Sequence, residues 1–262
     1  MRIRFAVVLA ALVAAAVLAT VRPGPATVGL ASVRQLWSDV LRDADQPGMR
    51  LTRLTDSEEM RLGDDLMRSI DWIGDRDATA RAIRVAGPML PHVRRHGIVY
   101  RFHAIAAPLP NAFALPGGQI MVTTGMMDFV QSDSELAEVL GHEIAHIDLR
   151  HAVERYQYQY RLGGLVELAH RLAIMPFSAD QELDADAEGL RLAIAGGYDP
   201  AAAAAVFTRM QHEFREPASP HADTPAGELA QSLGGAIASY LRTHPPSGER
   251  ARRLTELAAH RK

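Results

Sequence analysis

A chain of 262 residues, 48% of them hydrophobic, can bury the core of one domain that carries an appended segment. Its formal charge of −3 gives no electrostatic reason to bind nucleic acid, and we predict no nucleic-acid partner. The sequence contains no cysteine, which excludes disulfides, thiolate metal ligands and a lipid-modified N-terminal cysteine. Any metal ion must therefore be held by histidine and carboxylate side chains.

Residues 1–21 have the pattern of an export signal. Arg2 and Arg4 precede an uncharged apolar run over residues 5–21, and a segment rich in proline and glycine follows. We predict that the protein is exported to the bacterial periplasm or anchored in the membrane facing that side. The segment is then either a signal peptide, with Ala19 at the cleavage site, or a membrane anchor that would give membrane association. No later stretch is long and apolar enough to span a bilayer.

Residues 22–54 are predicted to form a linker and an amphipathic helix. Apolar residues recur at helical spacing from Leu30 to Leu41. This helix either packs on the body of the protein or forms a pro-segment that covers the cleft. The main domain is predicted over residues 55–262, and the capping box Thr55–Glu58 starts its first helix, which runs to about Ile73.

The rest of the main domain is predicted to be α+β, mostly helical, with one small sheet. Three strands precede a second capping box at Ser132–Glu135, and the turn Pro116-Gly117-Gly118 joins the last two of them. The predicted strands are Ile98–Ile105, Asn111–Leu115 and Gln119–Thr124. The predicted helices run from Ser132 to about Tyr160, from Ala179 to Ala195, from Ala201 to Phe214 and from Ser247 onward, with a surface loop over 215–228.

The sequence His142-Glu143-Ile144-Ala145-His146 carries the strongest functional signal. Residues four apart lie on one face of a helix, so both imidazoles can reach the same ion. Glu143 lies beside them and can act as a general base toward water. This layout is typical of zinc peptidases, although two histidines and a glutamate can also coincide on a solvated helix face.

A catalytic zinc site needs a third protein ligand. A metzincin would have glycine and histidine where this chain has Leu149 and Ala152, so that class is excluded. His151 falls off the metal face of a continuous helix and is predicted to lie at the surface or behind the ligands. We predict Glu182 as the third ligand. Asp186, one turn later, is predicted to accept a hydrogen bond from the distal N–H of a ligand histidine. The alternative is an acidic solvated helix face.

With these motifs the chain resembles the gluzincin metallopeptidase family that contains HtpX, the CAAX prenyl endopeptidases, the Oma-type proteases and the periplasmic β-barrel assembly-enhancing proteases. Four segments carry the resemblance, in the order found in that family, and they lie between about residue 55 and the C-terminus. They are Asn111–Gly118, Glu135–His146, Glu182–Asp186 with Gly197–Pro200 behind it, and Thr243–Arg250. The chain resembles a minimal, exported member.

The resemblance implies roles for two further segments. Asn111, Ala112, Phe113 and Ala114 would form the edge strand that pairs with an extended substrate. The alternative for them is an ordinary core strand. His244 and Arg250 become candidates for stabilising the oxyanion or gating the site, with His244 as a removable fourth ligand. The alternative for His244 is a capping residue before a proline.

These residues predict a zinc-dependent endopeptidase with one Zn²⁺ per chain and polypeptide substrates. His142, His146 and Glu182 would hold the ion, while Glu143 takes a proton from water and returns it to the leaving amine. By analogy with the family, the substrates would be envelope proteins in protein quality control. Two alternatives are a zinc-binding, chaperone-like module with silent or gated peptidase activity and an envelope protein in which the metal only stabilises the fold.

Overall fold

The computed structural model describes residues 53–69, 72–154, 177–213, 244 and 248–259. The predicted export segment, the amphipathic helix and the loop over 215–228 lie outside the described residues. The helices are α1 (Asp56–Ser69), α2 (Arg76–Ala86), a 3₁₀ helix (Gly87–His92), α3 (Thr124–Phe129), α4 (Asp133–Asp148), α5 (Ala179–Ala195), α6 (Ala201–Glu213) and α7 (Gly248–Ala259). The strands are β1 (Arg101–Ile105), β2 (Ala112–Leu115) and β3 (Gln119–Thr123).

The three strands form one mixed sheet in the order β1-β3-β2. The central strand β3 pairs in parallel with β1, starting at Arg101 opposite Gln119, and antiparallel with β2, with Ala112 opposite Val122. All five residues of β3 are buried, as expected for a strand covered on both faces. The predicted α+β class is therefore confirmed, and β2 lies at an edge of the sheet beside α4.

Helix α4 occupies the centre of the domain. Every residue from Glu135 to Asp148 is buried, because α2, α5, α6 and the sheet surround the helix. Its closest neighbour is α5, and the two helices approach at Gly141 and Gly189. A Cβ atom on Gly189 would lie 2.7 Å from the backbone nitrogen of His142, so only glycine permits this approach.

A buried carboxylate attaches α1 to the turn between β2 and β3. Glu59 accepts hydrogen bonds from Arg95 Nη2 at 2.6 Å and from the backbone N–H of Gly117 at 3.2 Å. Gly117 has a φ of +73°, and a Cβ atom there would lie 2.5 Å from Met60 Cα. The turn that begins with Pro116 is thus fixed by one ion pair and by a position that only glycine fits.

The structure corrects several predicted boundaries. Helix α4 ends at Asp148 instead of about Tyr160, because Arg150 adopts a left-handed φ of +68° before helical backbone resumes at 151–154. The first strand starts at Arg101, later than predicted. The second capping box is incomplete, since Ser132 caps the helix while Glu135 accepts from Gln131 N–H.

Other predicted elements agree with the structure. Helix α5 has the predicted bounds, and the capping box at Thr55 and Glu58 forms with hydrogen bonds of 2.8 and 3.2 Å. Helices α2 and α3 had no counterpart in the predicted elements. In the part of the chain that the structure describes, no helix is both long and apolar enough to cross a lipid bilayer.

Candidate metal centre

Helices α4 and α5 bring three predicted ligands together. One turn of α4 separates His142 from His146 and leaves their Nε2 atoms 3.0 Å apart. The Glu182 carboxylate lies 3.5 Å from His142 Nε2 and 3.4 Å from His146 Nε2. The N-terminal capping box of α5, formed by Ser178 and Gln181, fixes the first turn of the helix, in which Glu182 stands.

His244 completes the cluster from a distant part of the chain. Its Nδ1 lies 2.9 Å from Glu182 Oε1 and 3.1 Å from His142 Nε2. Together with His146, these residues offer four donor atoms within 4.8 Å of one another, and all four residues are buried. The structure therefore places His244 at the position of a fourth ligand.

The donor set suits a zinc ion. Zinc accepts imidazole nitrogen and carboxylate oxygen at bonds of about 2.0–2.1 Å, which separates tetrahedral ligands by about 3.3 Å. The facing nitrogens of His142, His146 and His244 and the Glu182 carboxylate are separated by 2.9, 3.0, 3.1, 3.4 and 3.5 Å, of which 2.9 and 3.4 Å are measured to Glu182 Oε1 and 3.5 Å to Oε2. Side chains at these separations can surround one ion with little rearrangement.

The predicted general base lies beside this cluster. Glu143 is fully buried, and neither of its carboxylate oxygens has a hydrogen-bond partner among the described residues. Its Oε1 is 3.4 Å from His244 Nε2. Burying a carboxylate without hydrogen bonds costs free energy, and binding a proton would lower that cost. The Glu143 oxygens are therefore suited to accept a proton from a water molecule or substrate at the centre.

Two residues hold the ligands from behind. Asp186 Oδ1 lies 3.0 Å from His142 Nδ1, on the side of the ring opposite the cluster. Arg250 donates to both oxygens of Asp186 at 2.7 Å, and its Nη1 lies 2.6 Å from Glu182 Oε2. One guanidinium group therefore ties α7 to two carboxylates of α5.

The cluster favours bound positive charge. Burial opposes the ionisation of Glu182, but its electrostatic interactions with His244 and Arg250 lower its pKa well below the usual range. Burial likewise opposes the charge on Asp186, and hydrogen bonds from Arg250 and His142 lower its pKa. Burial works against protonation of His142 as well, yet its hydrogen bonds to Asp186 and Glu182 raise its pKa to about 10. Ionised carboxylates at this depth need a cation nearby.

Sequence reasoning missed two contacts of His146. His151 Nδ1 lies 3.2 Å from His146 Nδ1, because the left-handed residue Arg150 turns the chain back. Two positions were predicted for His151, at the surface or behind the ligands, and the structure shows the second, since His151 is buried and contacts His146. Phe177 stacks on the ring of His146 itself, with the two ring centroids 3.7 Å apart. No sequence signal predicts the stacking of Phe177. The contact of His151 with His146 was not predicted because residue 151 was assigned to a helix that continues past His146.

The predicted substrate-binding residues lie on the sheet edge. Ala112 and Ala114 of β2 are buried, Phe113 is half-buried, and Asn111 precedes the strand, where its carbonyl accepts from Thr123 N–H at 2.9 Å. Among the described residues, β2 pairs with β3 alone. Within the described ranges its other edge has no paired strand, and it lies beside the helix that carries His142 and His146.

Comparison with known proteins identifies similar metallopeptidases. The model of Peptidase family M48 matches residues 78–258. The chain is 32% identical over 173 residues to the "Mitochondrial metalloendopeptidase OMA1" of Arabidopsis thaliana, covering 61% of this chain and 32% of that protein. It is 31% identical over 172 residues to the Schizosaccharomyces pombe protein of that name, covering 60% and 46% of the two chains.

A bacterial relative matches a longer stretch at lower identity. The "Beta-barrel assembly-enhancing protease" of Yersinia pestis is 24% identical over 226 residues, which are 75% of this chain and 45% of that protein. The matched region thus spans between a third and a half of the length of these relatives. The stretch matched by the family model contains the predicted ligands and the predicted general base.

Proposed function

The chain belongs to peptidase family M48, which confirms the resemblance seen in its motifs, and from this premise we propose that it hydrolyses peptide bonds as a zinc-dependent endopeptidase. His142, His146 and Glu182 would hold one Zn²⁺ per chain, and Glu143 would act as the general base. The observation that carries this proposal is the convergence of the donor atoms on one point, beside a buried carboxylate, Glu143, that makes no hydrogen bond to any described residue.

Side chains of the protein transfer the protons and hold the metal ligands in their orientation. A bound zinc ion supplies a Lewis acid that makes water nucleophilic near neutral pH and polarises the peptide carbonyl. Glu143 accepts the proton of the attacking water and delivers it to the nitrogen of the leaving amine. Asp186 fixes the ring of His142, and Arg250 fixes the carboxylates of both Asp186 and Glu182.

We further propose that substrates bind in extended form along β2. Asn111, Ala112, Phe113 and Ala114 would offer backbone hydrogen bonds to a polypeptide added at the sheet edge. The position of β2 beside α4 supports this, because a strand bound there would lie near the helix of His142 and His146. Recognition through backbone groups predicts weak side-chain specificity.

The position of His244 favours a second candidate function, a zinc-binding module with gated peptidase activity. A catalytic zinc site keeps one open coordination position, and four protein ligands close it. His244 Nδ1 lies where it would take that position, and Nε2 lies near Glu143. Activity would then require His244 to leave, or to turn toward the oxyanion. Arg250, which is paired with Glu182 and Asp186, would anchor α7, the helix in which it lies.

The test of gating is a substitution at His244. If His244 occupies the open position, H244A should raise peptidase activity while zinc remains bound through the other three residues. If His244 stabilises the oxyanion instead, H244A should lower kcat with zinc content unchanged. Equal activity of the variant and the parent would contradict both roles.

The proposed location and organisation come from the sequence. We propose a signal peptide or anchor at residues 1–21, a linker and helix over 22–54 and the peptidase domain over 55–262, with the domain facing the periplasm. The match to β-barrel assembly-enhancing proteases supports a role in the quality control of envelope proteins. Such substrates, partly unfolded, suit a binding mode based on backbone pairing.

The decisive experiment compares E143Q with the parent protein. E143Q should bind one zinc ion per chain, measured by elemental analysis, and should fail to cleave casein. E256Q, which changes an exposed glutamate on α7, serves as the matched control and should cleave normally. Casein cleavage by E143Q would refute the mechanism. Envelope proteins trapped by E143Q, compared with those trapped by the parent, would then identify substrates.

A further inference from the structure

The two histidines of the HExxH motif differ on the side of the ring that faces away from the cluster. His142 Nδ1 lies 3.0 Å from a carboxylate oxygen of Asp186. His146 Nδ1 instead lies 3.2 Å from the Nδ1 of His151, a second imidazole. All four residues are buried, so neither contact is exchanged freely with bulk water. Each ligand ring thus has a distinct partner supplied by the protein.

The break after α4 creates the contact between the two imidazoles. In a continuous helix, five residues correspond to about 500°, which would place His151 about 140° around the helix from His146. The left-handed φ of Arg150 reverses the chain and returns His151 to the ligand. A non-glycine residue in this conformation costs about 1 kcal/mol or more, and the side chain of Arg150 is held by a contact with a distant part of the chain. Arg150 Nη2 donates to the carbonyl of Leu54 at 2.9 Å.

The orientation of His146 determines where its hydrogen lies. Its Nε2 faces the cluster, 3.0 Å from His142 Nε2 and 3.4 Å from Glu182, and must be unprotonated to hold an ion. The ring hydrogen therefore sits on Nδ1 and points at His151. The nitrogen that it meets must act as an acceptor, because two N–H groups cannot face each other at 3.2 Å.

We propose that His151 is a positioning residue that accepts a hydrogen bond from His146 Nδ1–H and so fixes the tautomer and ring plane of this metal ligand. Phe177, stacked at 3.7 Å, holds the same ring from its face. The neutral acceptor leaves His146 less electron-rich than His142, which faces a carboxylate. The ion would thereby retain more positive charge than it would with two carboxylate partners. This inference rests on the zinc site of the proposed function and adds a residue to it.

The test uses two substitutions with the same amide group. In H151N the amide oxygen lies at about the distance along the side chain at which histidine has Nδ1, so the acceptor stays in place. In H151Q the extra methylene moves the amide away from His146. Zinc affinity, measured by competition with a chelator, should fall by about 10–100-fold in H151Q and stay within about threefold of the parent in H151N. H96Q, at an exposed histidine, is the control and should match the parent.

A second measurement separates positioning from packing. Co²⁺ substituted for zinc should give the parental absorption spectrum in H151N and an altered one in H151Q, while both metal-free variants melt at similar temperatures. Equal zinc affinity of H151N and H151Q would overturn the inference. If the parent itself bound no zinc, the proposed function would fail instead, so the two failures are distinguishable. None of these readouts depends on peptide cleavage.

Discussion

Substitution of Gly189 by alanine should disturb the metal centre from a distance, through the spacing of the two helices that form it. Gly189 lies on α5 against α4. A Cβ atom there would stand 2.7 Å from His142 N and 2.9 Å from Gly141 C, whereas ordinary contacts start at 3.4 Å. The atoms in contact are backbone atoms within helices and cannot rotate away. The helices must therefore separate by roughly 0.7 Å.

This displacement is large relative to the tolerance of a zinc site. Metal–ligand distances are held to within about 0.2 Å, and α5 carries Glu182 while α4 carries the histidines. We expect G189A to lower zinc affinity by at least about tenfold. Overpacking against backbone atoms that cannot rotate away falls in the upper part of the usual range, at about 2–3 kcal/mol, and alanine returns about 1 kcal/mol of helix propensity, so the net loss of folding free energy should be about 1–2 kcal/mol.

The assay pairs chelator competition with thermal denaturation. At about 2–4 °C per kcal/mol for a domain of this size, G189A should melt several degrees lower than the parent. G87A is the matched control, because Gly87 has a helical φ of −47° and a Cβ atom there would meet nothing within 4 Å. Parental zinc affinity and melting temperature in G189A would refute the argument that helix spacing sets the ligand geometry.

Two other substitutions test buried carboxylates. Burial and the charge of Asp186 raise the pKa of Glu138 to about 8, against the opposing charge of His142. The folded state therefore disfavours ionised Glu138, and folding stability is lost as the pH rises from about 5 through 8. The free energy of unfolding of E138Q should exceed that of the parent at pH 8 by on the order of 3 kcal/mol, and this difference should vanish near pH 4. A constant difference between pH 4 and 8 would contradict this. E59Q removes the charge that pairs with Arg95 and should cost about 3–5 kcal/mol in urea unfolding, while a loss below about 1 kcal/mol would show that the ion pair is dispensable.

Much of the centre was predictable because it depends on local spacing. The separation of His142 and His146 by one helical turn determines that their imidazoles face the same way. Helix α5 was predicted with its bounds because Gly196 and Gly197 follow its last turn, and the structure adds a capping box of Ser178 and Gln181 at its start. Glu182 was assigned from its place in that helix, by the pattern that gluzincins follow.

Contacts that depend on chain reversal were not predictable in the same way. The position of His151 follows from the left-handed backbone at Arg150, a residue type that rarely adopts it and so gives no warning. Phe177 reaches His146 only because α5 packs against α4 through Gly189. The parallel pairing of β1 with β3 likewise needs the intervening strand β2 to be placed at the edge.

The donor set could be predicted from the sequence alone: two histidines with a glutamate between them on one helix, an acidic residue on the next, and no cysteine to supply a thiolate. These features follow from residue type and helical period. Only the tertiary structure decided how the centre is closed and supported. His244 enters as a fourth donor, and His151 stands behind His146. The contact of His244 joins distant parts of the chain, and the contact of His151 depends on the left-handed backbone at Arg150, so helical period carries no information about either distance.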